Sequence, residues 1–162
     1  MKFKNNNKII LTGKTTTYSE AACQLDTDLV IHPFAFRVHT HDLGRVVSGW
    51  KVSPDMSWTL IGKRDPQLPQ MFKAMDDTSI TMTYGDTLAT RCTMVNYKDS
   101  AVSVGSTNDD EMCNFYMMYW VEGPNIMSQK SCYSLGPPIY SWGGWILGGG
   151  LSNIPDEEAS SF

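Results

Sequence analysis

Long hydrophobic runs are missing from this chain of 162 residues. Near the start, the apolar stretch at residues 9–12 is too short for the hydrophobic segment of a signal peptide. Near the end, residues 139–151 are too few, and too rich in glycine and proline, to cross a bilayer. We therefore expect neither a membrane segment nor a signal peptide within this sequence.

Positive charge is also scarce. The 13 lysine and arginine residues are outnumbered by 17 aspartate and glutamate residues, the net charge is −4, and no basic cluster occurs beyond the first few residues. Proteins that bind nucleic acid carry basic patches that contact its phosphates. Nucleic acid is therefore not an expected partner.

Cysteine is sparse, and its spacing excludes a common kind of metal site. The four cysteines never form a Cys-x-x-Cys pair, so a zinc ribbon is not expected. An even number of cysteines in a single-domain chain suits two disulfides formed in an oxidising compartment. We expect a domain of the secretory pathway or the extracellular space, cut from a longer precursor because no signal peptide is present in this chain.

Clean helical periodicity is absent from every stretch of twelve residues, and short strand signals take its place. Runs of aromatic and β-branched residues are separated by turn residues such as proline, glycine, asparagine and aspartate. Many short strands with such turns predict an all-β fold, an antiparallel β-sandwich or jelly roll. The predicted strands are residues 29–41, 45–52, 57–62, 79–84, 87–95, 101–104 and 112–121.

The predicted organisation has three parts. Residues 1–20 form a partly disordered lead-in, residues 21–135 the β-sandwich domain and residues 136–162 a tail rich in glycine and proline. The polar, acidic end of the tail, IPDEEASSF, is expected to be disordered or part of a linker. The run SWGGWILGGGL within the tail has no predicted role.

Two short segments carry functional side chains on one face of a predicted strand. Residues 37–41 read RVHTH and residues 111–118 read EMCNFYMM. Successive side chains on a strand point to opposite faces, so polar and apolar residues separate in both segments, as in a sheet with one face on a core. The side chains that share the functional face are Arg37, His39 and His41 in the first segment and Met112, Asn114 and Tyr116 in the second.

Two imidazoles and a thioether form a metal-ligand set. Soft sulfur donors favour Cu(I), whereas imidazole suits several metals, so the set His39, His41 and Met112 indicates copper that is stable when reduced. The guanidinium, amide and phenol on the same face suit the binding of a polar, anionic substrate. A non-haem iron or zinc site, in which Asp42 or Glu111 joins the histidines, is the alternative, but both acids alternate away from the proposed ligands.

The chain resembles the copper type II, ascorbate-dependent monooxygenases, and within them the hydroxylase part of the peptidylglycine α-amidating enzymes. The resemblance runs from about Cys23 to Cys132 in the family's order. Four segments carry it: FAFRVHTHDLGRVVSGW at residues 34–50, WTLIGKRDPQLPQMF at 58–72, YGDTLATRC at 84–92 and DDEMCNFYMMYW at 109–120.

The resemblance implies a role for each singled-out residue. It implies that the copper at which dioxygen is activated is bound by His39, His41 and Met112. It implies that the carboxylate end of a glycine-extended peptide is held by Arg37, Asn114 and Tyr116. It also pairs Cys23 with Cys132 and Cys92 with Cys113, and it assigns the sandwich to the family's C-terminal copper domain.

The implied reaction hydroxylates the α-carbon of a C-terminal glycine, the first step of peptide amidation, after which a lyase releases the amide. Ascorbate is the implied reductant, and a second copper on a preceding domain, bound by three histidines, relays its electrons. This chain has three histidines in all, and two are assigned to the first copper. We therefore expect one copper in this chain, two in the full enzyme, and little or no turnover by the chain alone.

Two other functional interpretations remain open. A dopamine-β-monooxygenase-like domain would act on a cationic amine, for which Arg37 has the wrong charge. A secreted module that carries copper or peptide without oxidation would also fit the ligand set. His32 points away from His39 by parity and is expected to be structural.

Overall fold

The computed structural model describes residues 2–5, 10–11 and 13–162. It contains eleven strands and one short helix within those ranges. They are β1 (Lys2–Asn5), β2 (Ile10–Leu11), β3 (Thr15–Gln24), β4 (His32–His39), β5 (Gly44–Val52), β6 (Trp58–Arg64), β7 (Lys73–Ala74), β8 (Thr87–Asn96), β9 (Val102–Ser103), β10 (Asn114–Trp120), β11 (Ser131–Ser134) and α1 (Asp156–Ser160). No helix in the part of the chain that the structure describes is long and apolar enough to cross a membrane.

Two sheets face each other, and the predicted all-β sandwich is confirmed. One sheet has the order β11-β1-β10-β4-β7 and the other the order β3-β8-β5-β6, while β2 and β9 form a separate two-stranded ribbon. Their neighbouring strands are antiparallel except for the parallel pair β1 and β11. We call the first the site sheet, because it contains β4 and β10, and the second the support sheet.

Aromatic rings from the site sheet pack into glycine positions of the support sheet. Phe36 and Phe115 are buried and stacked, with ring centroids 5.6 Å apart. A Cβ atom added at Gly49 would lie 2.3 Å from the Phe115 ring, and one added at Gly62 would lie 2.3 Å from the Phe36 ring. Any larger side chain at either glycine would therefore push the two sheets apart.

Both disulfides join the two sheets. Cys23 on β3 is bonded to Cys132 on β11, and Cys92 on β8 is bonded to Cys113, the residue before β10. These are the two pairs that the family resemblance implies. In the chain-entropy account each such cross-link stabilises a fold by about 3–5 kcal/mol, mainly by restricting the unfolded chain.

Several parts of the sequence differ from the prediction. Residues 79–84 form no strand but only one isolated bridge, between Ile31 and Met82. Their backbone is bonded by nearby side chains instead, since Asp77 accepts the N–H of Ser79 and Asp86 accepts the N–H of Thr83. Such local bonds compete with pairing between strands.

The expected disorder at the C-terminus is also wrong. Residues 156–160 form α1, whose Ala159 is fully buried against the outer face of the support sheet. Lys63 on β6 donates to the carbonyl groups of Glu158 and Ser161. At the other end of the chain, β3 crosses the predicted boundary at residue 20.

A second core lies on the outer face of the support sheet, under the tail. Trp50, Trp142 and Leu151 are buried there, and Trp142 donates from Nε1 to the carbonyl of Ala21 at 3.1 Å. The glycine-rich segment after Trp142 turns back on itself, with the N–H of Leu151 bonded to the carbonyl of Trp142. The composition of this segment reflects a compact loop rather than a strand.

Arg91 attaches the tail to the support sheet. Its Nε donates to Glu20 at 2.6 Å, its Nη2 to Asp156 at 2.7 Å, and its Nη1 to Ser160 at 2.9 Å. The guanidinium also lies over the ring of Trp142, 4.5 Å from the centroid. Arg91 and Glu20 are both buried, so each depends on the other for compensation of its charge.

We expect Arg91→Ala to lower the free energy of unfolding by about 3–5 kcal/mol, because the Glu20 carboxylate would stay buried without its partner. Urea denaturation monitored by tryptophan fluorescence measures this loss. Asp156→Asn is the matched control, since the Asp156 side chain is 75% exposed whereas that of Arg91 is 4% exposed, and it should cost less than about 1 kcal/mol. Equal losses in the two variants would contradict this account of the tail.

Candidate functional site

The predicted site residues of β4 and β10 lie opposite each other on the site sheet. In the antiparallel register, Asn114 is the partner of His39, and Tyr116 is the partner of Arg37. Directly opposite residues present their side chains to the same face. Phe36, Val38, Phe115 and Met117 fill the inner face and are buried, so the four site residues belong to the outer face.

His41 and Met112 lie just beyond the paired parts of these strands. The two segments are joined there by Glu111, whose carboxylate is fully buried. The backbone N–H groups of His41 and Met112 both donate to its Oε1, and the N–H of Leu43 donates to Oε2 at 2.6 Å. One carboxylate therefore sets the distance between the two backbone segments that carry the predicted ligands.

Both imidazoles are oriented through Nδ1. His41 Nδ1 lies 2.8 Å from the carbonyl oxygen of Asp110, and His39 Nδ1 lies 2.5 Å from Gln70 Oε1. A carbonyl oxygen only accepts, so each Nδ1 carries the hydrogen and each Nε2 of the neutral ring keeps a lone pair. The two ring centroids are 5.3 Å apart.

Gln70 has no freedom to reverse its amide. Its Nε2 donates to the carbonyl groups of Thr40 at 3.0 Å and Pro66 at 2.7 Å. The opposite oxygen is therefore the atom that faces His39. Gln70 belongs to the loop after β6, which begins with a turn in which the N–H of Leu68 bonds to the carbonyl of Asp65, the sequence Asp-Pro being typical of such turns.

Arg37, Asn114 and Tyr116 form a polar group beside the histidines. The Arg37 guanidinium carbon lies 5.2 Å from the centroid of the Tyr116 ring. Asn114 Nδ2 donates to Met112 Sδ at 3.6 Å. Because Asn114 is the strand partner of His39, this bond places the thioether on the side of the sheet where His39 lies. Arg37 Nε and Asn114 Oδ1 are buried and have no hydrogen-bond partner among the described residues, an arrangement that is costly unless a ligand completes it.

The carboxylates near the histidines are committed elsewhere. The carboxylate of Glu111 accepts backbone N–H groups. The carboxylate of Asp42 accepts a hydrogen bond from the Tyr97 hydroxyl, and Lys98 Nζ lies 3.7 Å from it. The hydrogen bond to Asp42 raises the pKa of Tyr97 above its usual value. Within residues 2–5, 10–11 and 13–162, no three side chains of His, Cys, Asp or Glu are grouped to hold a metal. This geometry disfavours the iron or zinc alternative.

The residues present fit copper better. Two Nε2 lone pairs, each fixed by a hydrogen bond at the other ring nitrogen, are typical of imidazole ligands, whose remaining N–H is bound to an oxygen acceptor. A thioether beside them supplies the soft donor that Cu(I) prefers. His32, by contrast, lies at the far end of β4 and stacks on Trp120, with ring centroids 3.9 Å apart.

Sequence reasoning missed two residues of this site. Gln70 lies in the PQLPQ segment, which contributed to the family resemblance but received no role. Glu111 was weighed only as an alternative metal ligand. Glu111 follows two aspartates in the sequence, and only its contacts show that its carboxylate is buried.

Comparison with known proteins gives a consistent result. Residues 1–144 match the family described as copper type II ascorbate-dependent monooxygenase, C-terminal domain. Peptidyl-glycine alpha-amidating monooxygenase A of Xenopus laevis is 41% identical over 131 residues, which cover 80% of this chain and 14% of that protein. The peptidylglycine alpha-amidating monooxygenase of Rattus norvegicus is 41% identical over 125 residues, covering 76% of this chain and 12% of that protein.

The chain thus spans only 12–14% of the length of these relatives. The family match nevertheless covers most of the chain and includes both segments of the candidate site. The sequence resemblance is confirmed by it, and copper and ascorbate are the cofactors that the family description specifies. The chain belongs to the copper type II ascorbate-dependent monooxygenases and corresponds to their C-terminal domain.

Proposed function

We propose that the chain is the oxygen-activating copper domain of a peptidylglycine α-hydroxylating monooxygenase. One observation carries this proposal: a face that holds two oriented imidazoles and a thioether also holds a buried donor and a buried acceptor that have no partner in the part of the chain that the structure describes. The product would be a peptide with a hydroxylated C-terminal glycine, the first step of peptide amidation. The names of the relatives support this activity class.

The proposed copper ligands are His39 and His41 through Nε2 and Met112 through Sδ. When bound, copper supplies the redox centre at which dioxygen is reduced. The protein would keep acidic side chains from competing with these three donors for the metal. The nearby Glu111 carboxylate, for example, already accepts hydrogen bonds from backbone N–H groups. The thioether of Met112 would supply the soft donor that favours the reduced metal.

The proposed substrate contacts follow from donor and acceptor chemistry. A peptide C-terminus offers a carboxylate, which accepts, and a glycine N–H, which donates. The carboxylate suits Arg37 Nε, and the N–H suits Asn114 Oδ1; these are the two buried atoms of the site that have no partner among the described residues. With Tyr116 beside Arg37, the glycine α-carbon would lie between the carboxylate site and the metal ligands, and such positioning lowers a reaction barrier by several kcal/mol.

The balance of the reaction requires other components. One oxygen atom of dioxygen enters the C–H bond and the other leaves as water, which consumes two electrons, supplied by ascorbate, and two protons. The third histidine of this chain, His32, stacks on Trp120 at the far end of β4. The electron-transfer copper would therefore be bound by another domain of the parent protein, and this chain alone would turn over little or nothing.

Two disulfides support a secretory or extracellular location. The dopamine-type alternative is disfavoured at Arg37, because a cationic amine would face a guanidinium whose Nε needs an acceptor. A module that binds copper or peptide without oxidation would retain every contact described here, so it is separated from the enzyme only by an assay of ascorbate-dependent hydroxylation in the parent protein.

Replacement of Gln70 by alanine should weaken Cu(II) binding by about 10- to 100-fold, because the His39 ring would lose the acceptor that sets its orientation. A titration against a competing chelator measures the change. Gln67→Ala is the matched control: Gln67 lies in the same loop, and its side-chain amide donates to the backbone carbonyl groups of His41 and Gly44 rather than to an imidazole ring. Similar effects of the two variants would argue against a specific role for Gln70.

Met112→Ile keeps the size of the side chain and removes its sulfur. We expect the fold and much of the Cu(II) binding to remain, while the Cu–S scattering of the reduced protein disappears from its X-ray absorption spectrum. Met118→Ile, on the same face of β10 but largely exposed, should leave the Cu–S signal intact. Absence of sulfur scattering in the unmutated chain would overturn the ligand set.

Arg37→Ala should raise the apparent KM of the parent protein for glycine-extended peptides by about one to two orders of magnitude, as expected for the loss of charge-assisted hydrogen bonds. Copper content should not change. Arg45→Ala removes an equal charge from β5, where Arg45 bonds backbone carbonyl groups, and should have little effect. If peptides ending in an acid and in an amide bind equally well to the unmutated protein, Arg37 has no part in the site.

A further inference from the structure

The glycine-rich loop at residues 141–151 holds three consecutive apolar side chains in solvent. Trp145 and Ile146 are each 93% exposed, and Leu147 is 58% exposed. We call these three residues the apolar tip. Single apolar residues are common on protein surfaces, but three together at the end of one loop form a contiguous patch, which is typical of contact with a protein or a membrane.

The two arms of the loop meet directly beneath the apolar tip. A Cβ atom added at Gly148 would lie 2.5 Å from the Cα atom of Gly144 and 2.3 Å from the carbonyl oxygen of Ser141. A larger residue there would therefore force the arms apart. The N–H groups of Gly144 and Gly149 both bond to the carbonyl of Ser141. The tip is thus a projection of three residues on a closed neck.

The base of the loop is fixed to the support sheet. Trp142 and Leu151, near its two ends, are buried in the second core on the outer face of that sheet. The candidate copper site lies on the outer face of the site sheet, so the two features are on opposite sides of the sandwich. A partner bound at the apolar tip would therefore leave the candidate site uncovered.

Charge and size indicate which partner suits the tip. Between Lys130 and Asp156 the sequence has no charged residue, so the loop carries no charge to pair with an anionic or cationic surface. A stable protein interface buries about 800 Å² on each partner, and three side chains supply less than this even at about 250 Å² each, the upper value for an aromatic residue. A lipid bilayer needs no matching surface, and tryptophan is enriched at its interface with water.

We propose that the apolar tip inserts into the surface of a lipid bilayer whose headgroups carry no net charge. Three residues are too few to cross a bilayer, so the tip would lie within its interface. A single myristoyl chain binds bilayers with an association constant of about 10⁴ M⁻¹. The three side chains contain a similar number of apolar carbons, so binding should be reversible and half complete at about 0.1–1 mM accessible lipid.

Cosedimentation of the whole chain with phosphatidylcholine vesicles tests this proposal. Ile146→Asp should weaken binding by at least about tenfold, because insertion would remove a carboxylate from water. The fold should not change, since the side chain is 93% exposed. Ile126→Asp is the matched control: it makes the same change at an isoleucine that is 62% exposed in the loop after β10, and it should bind as the unmutated chain does.

Quenching of tryptophan fluorescence by brominated phosphatidylcholine identifies the residue in contact with lipid. Trp145→Phe should retain binding and lose most of the quenching. Trp120→Phe removes another exposed tryptophan, on β10, and should retain both.

Absence of binding to the unmutated chain at about 5 mM lipid would overturn the proposal, since binding of the expected strength would be nearly complete there. Equal binding by Ile146→Asp and Ile126→Asp, quenching that persists in Trp145→Phe, or binding that requires anionic phosphatidylserine would also overturn it. If the chain associates with itself without lipid and Ile146→Asp abolishes that association, a second copy covers the tip and the lipid proposal is wrong.

Discussion

A single buried carboxylate joins the two backbone segments on which the candidate site depends. Glu111 accepts N–H groups from His41, Leu43 and Met112. Burial of a charge without compensation is expensive, and charge-assisted bonds to backbone N–H groups offset that cost. Because the donors come from both sides of the site, any change in the separation of the two segments would break at least one of these bonds. The position of the proposed ligands is thus tied to the stability of the fold.

The rest of the sandwich supports this arrangement from the inside. Phe36 and Phe115 pack into glycine positions of the support sheet, and the Cys92–Cys113 bridge ties the residue next to Met112 to β8. The inner face of the site sheet is therefore rigid and apolar. The outer face carries two buried polar atoms, Arg37 Nε and Asn114 Oδ1, that have no partner among the described residues, and their isolation is costly until a ligand completes it. A site built on strands in this way is held more accurately than one built on loops.

The edge of the site sheet has a different character. Here the loop after β6 turns its amides inward to orient His39 and its apolar side chains outward. One short segment thus positions a proposed ligand through Gln70 and leaves Leu68, Met71 and Phe72 exposed.

Much of this molecule could be predicted from its sequence. Successive side chains of a strand alternate between its two faces. Local geometry alone therefore predicted one face shared by Arg37, His39 and His41, and another shared by Asn114 and Tyr116. The all-β fold followed from the same patterns, and the two disulfide pairs from the family resemblance. These properties depend on residues close together in the chain or on motifs long enough to be specific.

Only the tertiary structure decided the rest. It alone shows that the Glu111 carboxylate is buried and accepts backbone N–H groups, and that Gln70 reaches His39 across 31 positions of sequence. It also shows that the acidic C-terminus is ordered, because Arg91, 65 positions away, binds Asp156. Such contacts join residues that are distant in sequence. The sequence of a polar side chain does not indicate whether the side chain is exposed to solvent or makes a buried hydrogen bond. The difference lies in what surrounds it, which is determined only when the two sheets close on each other.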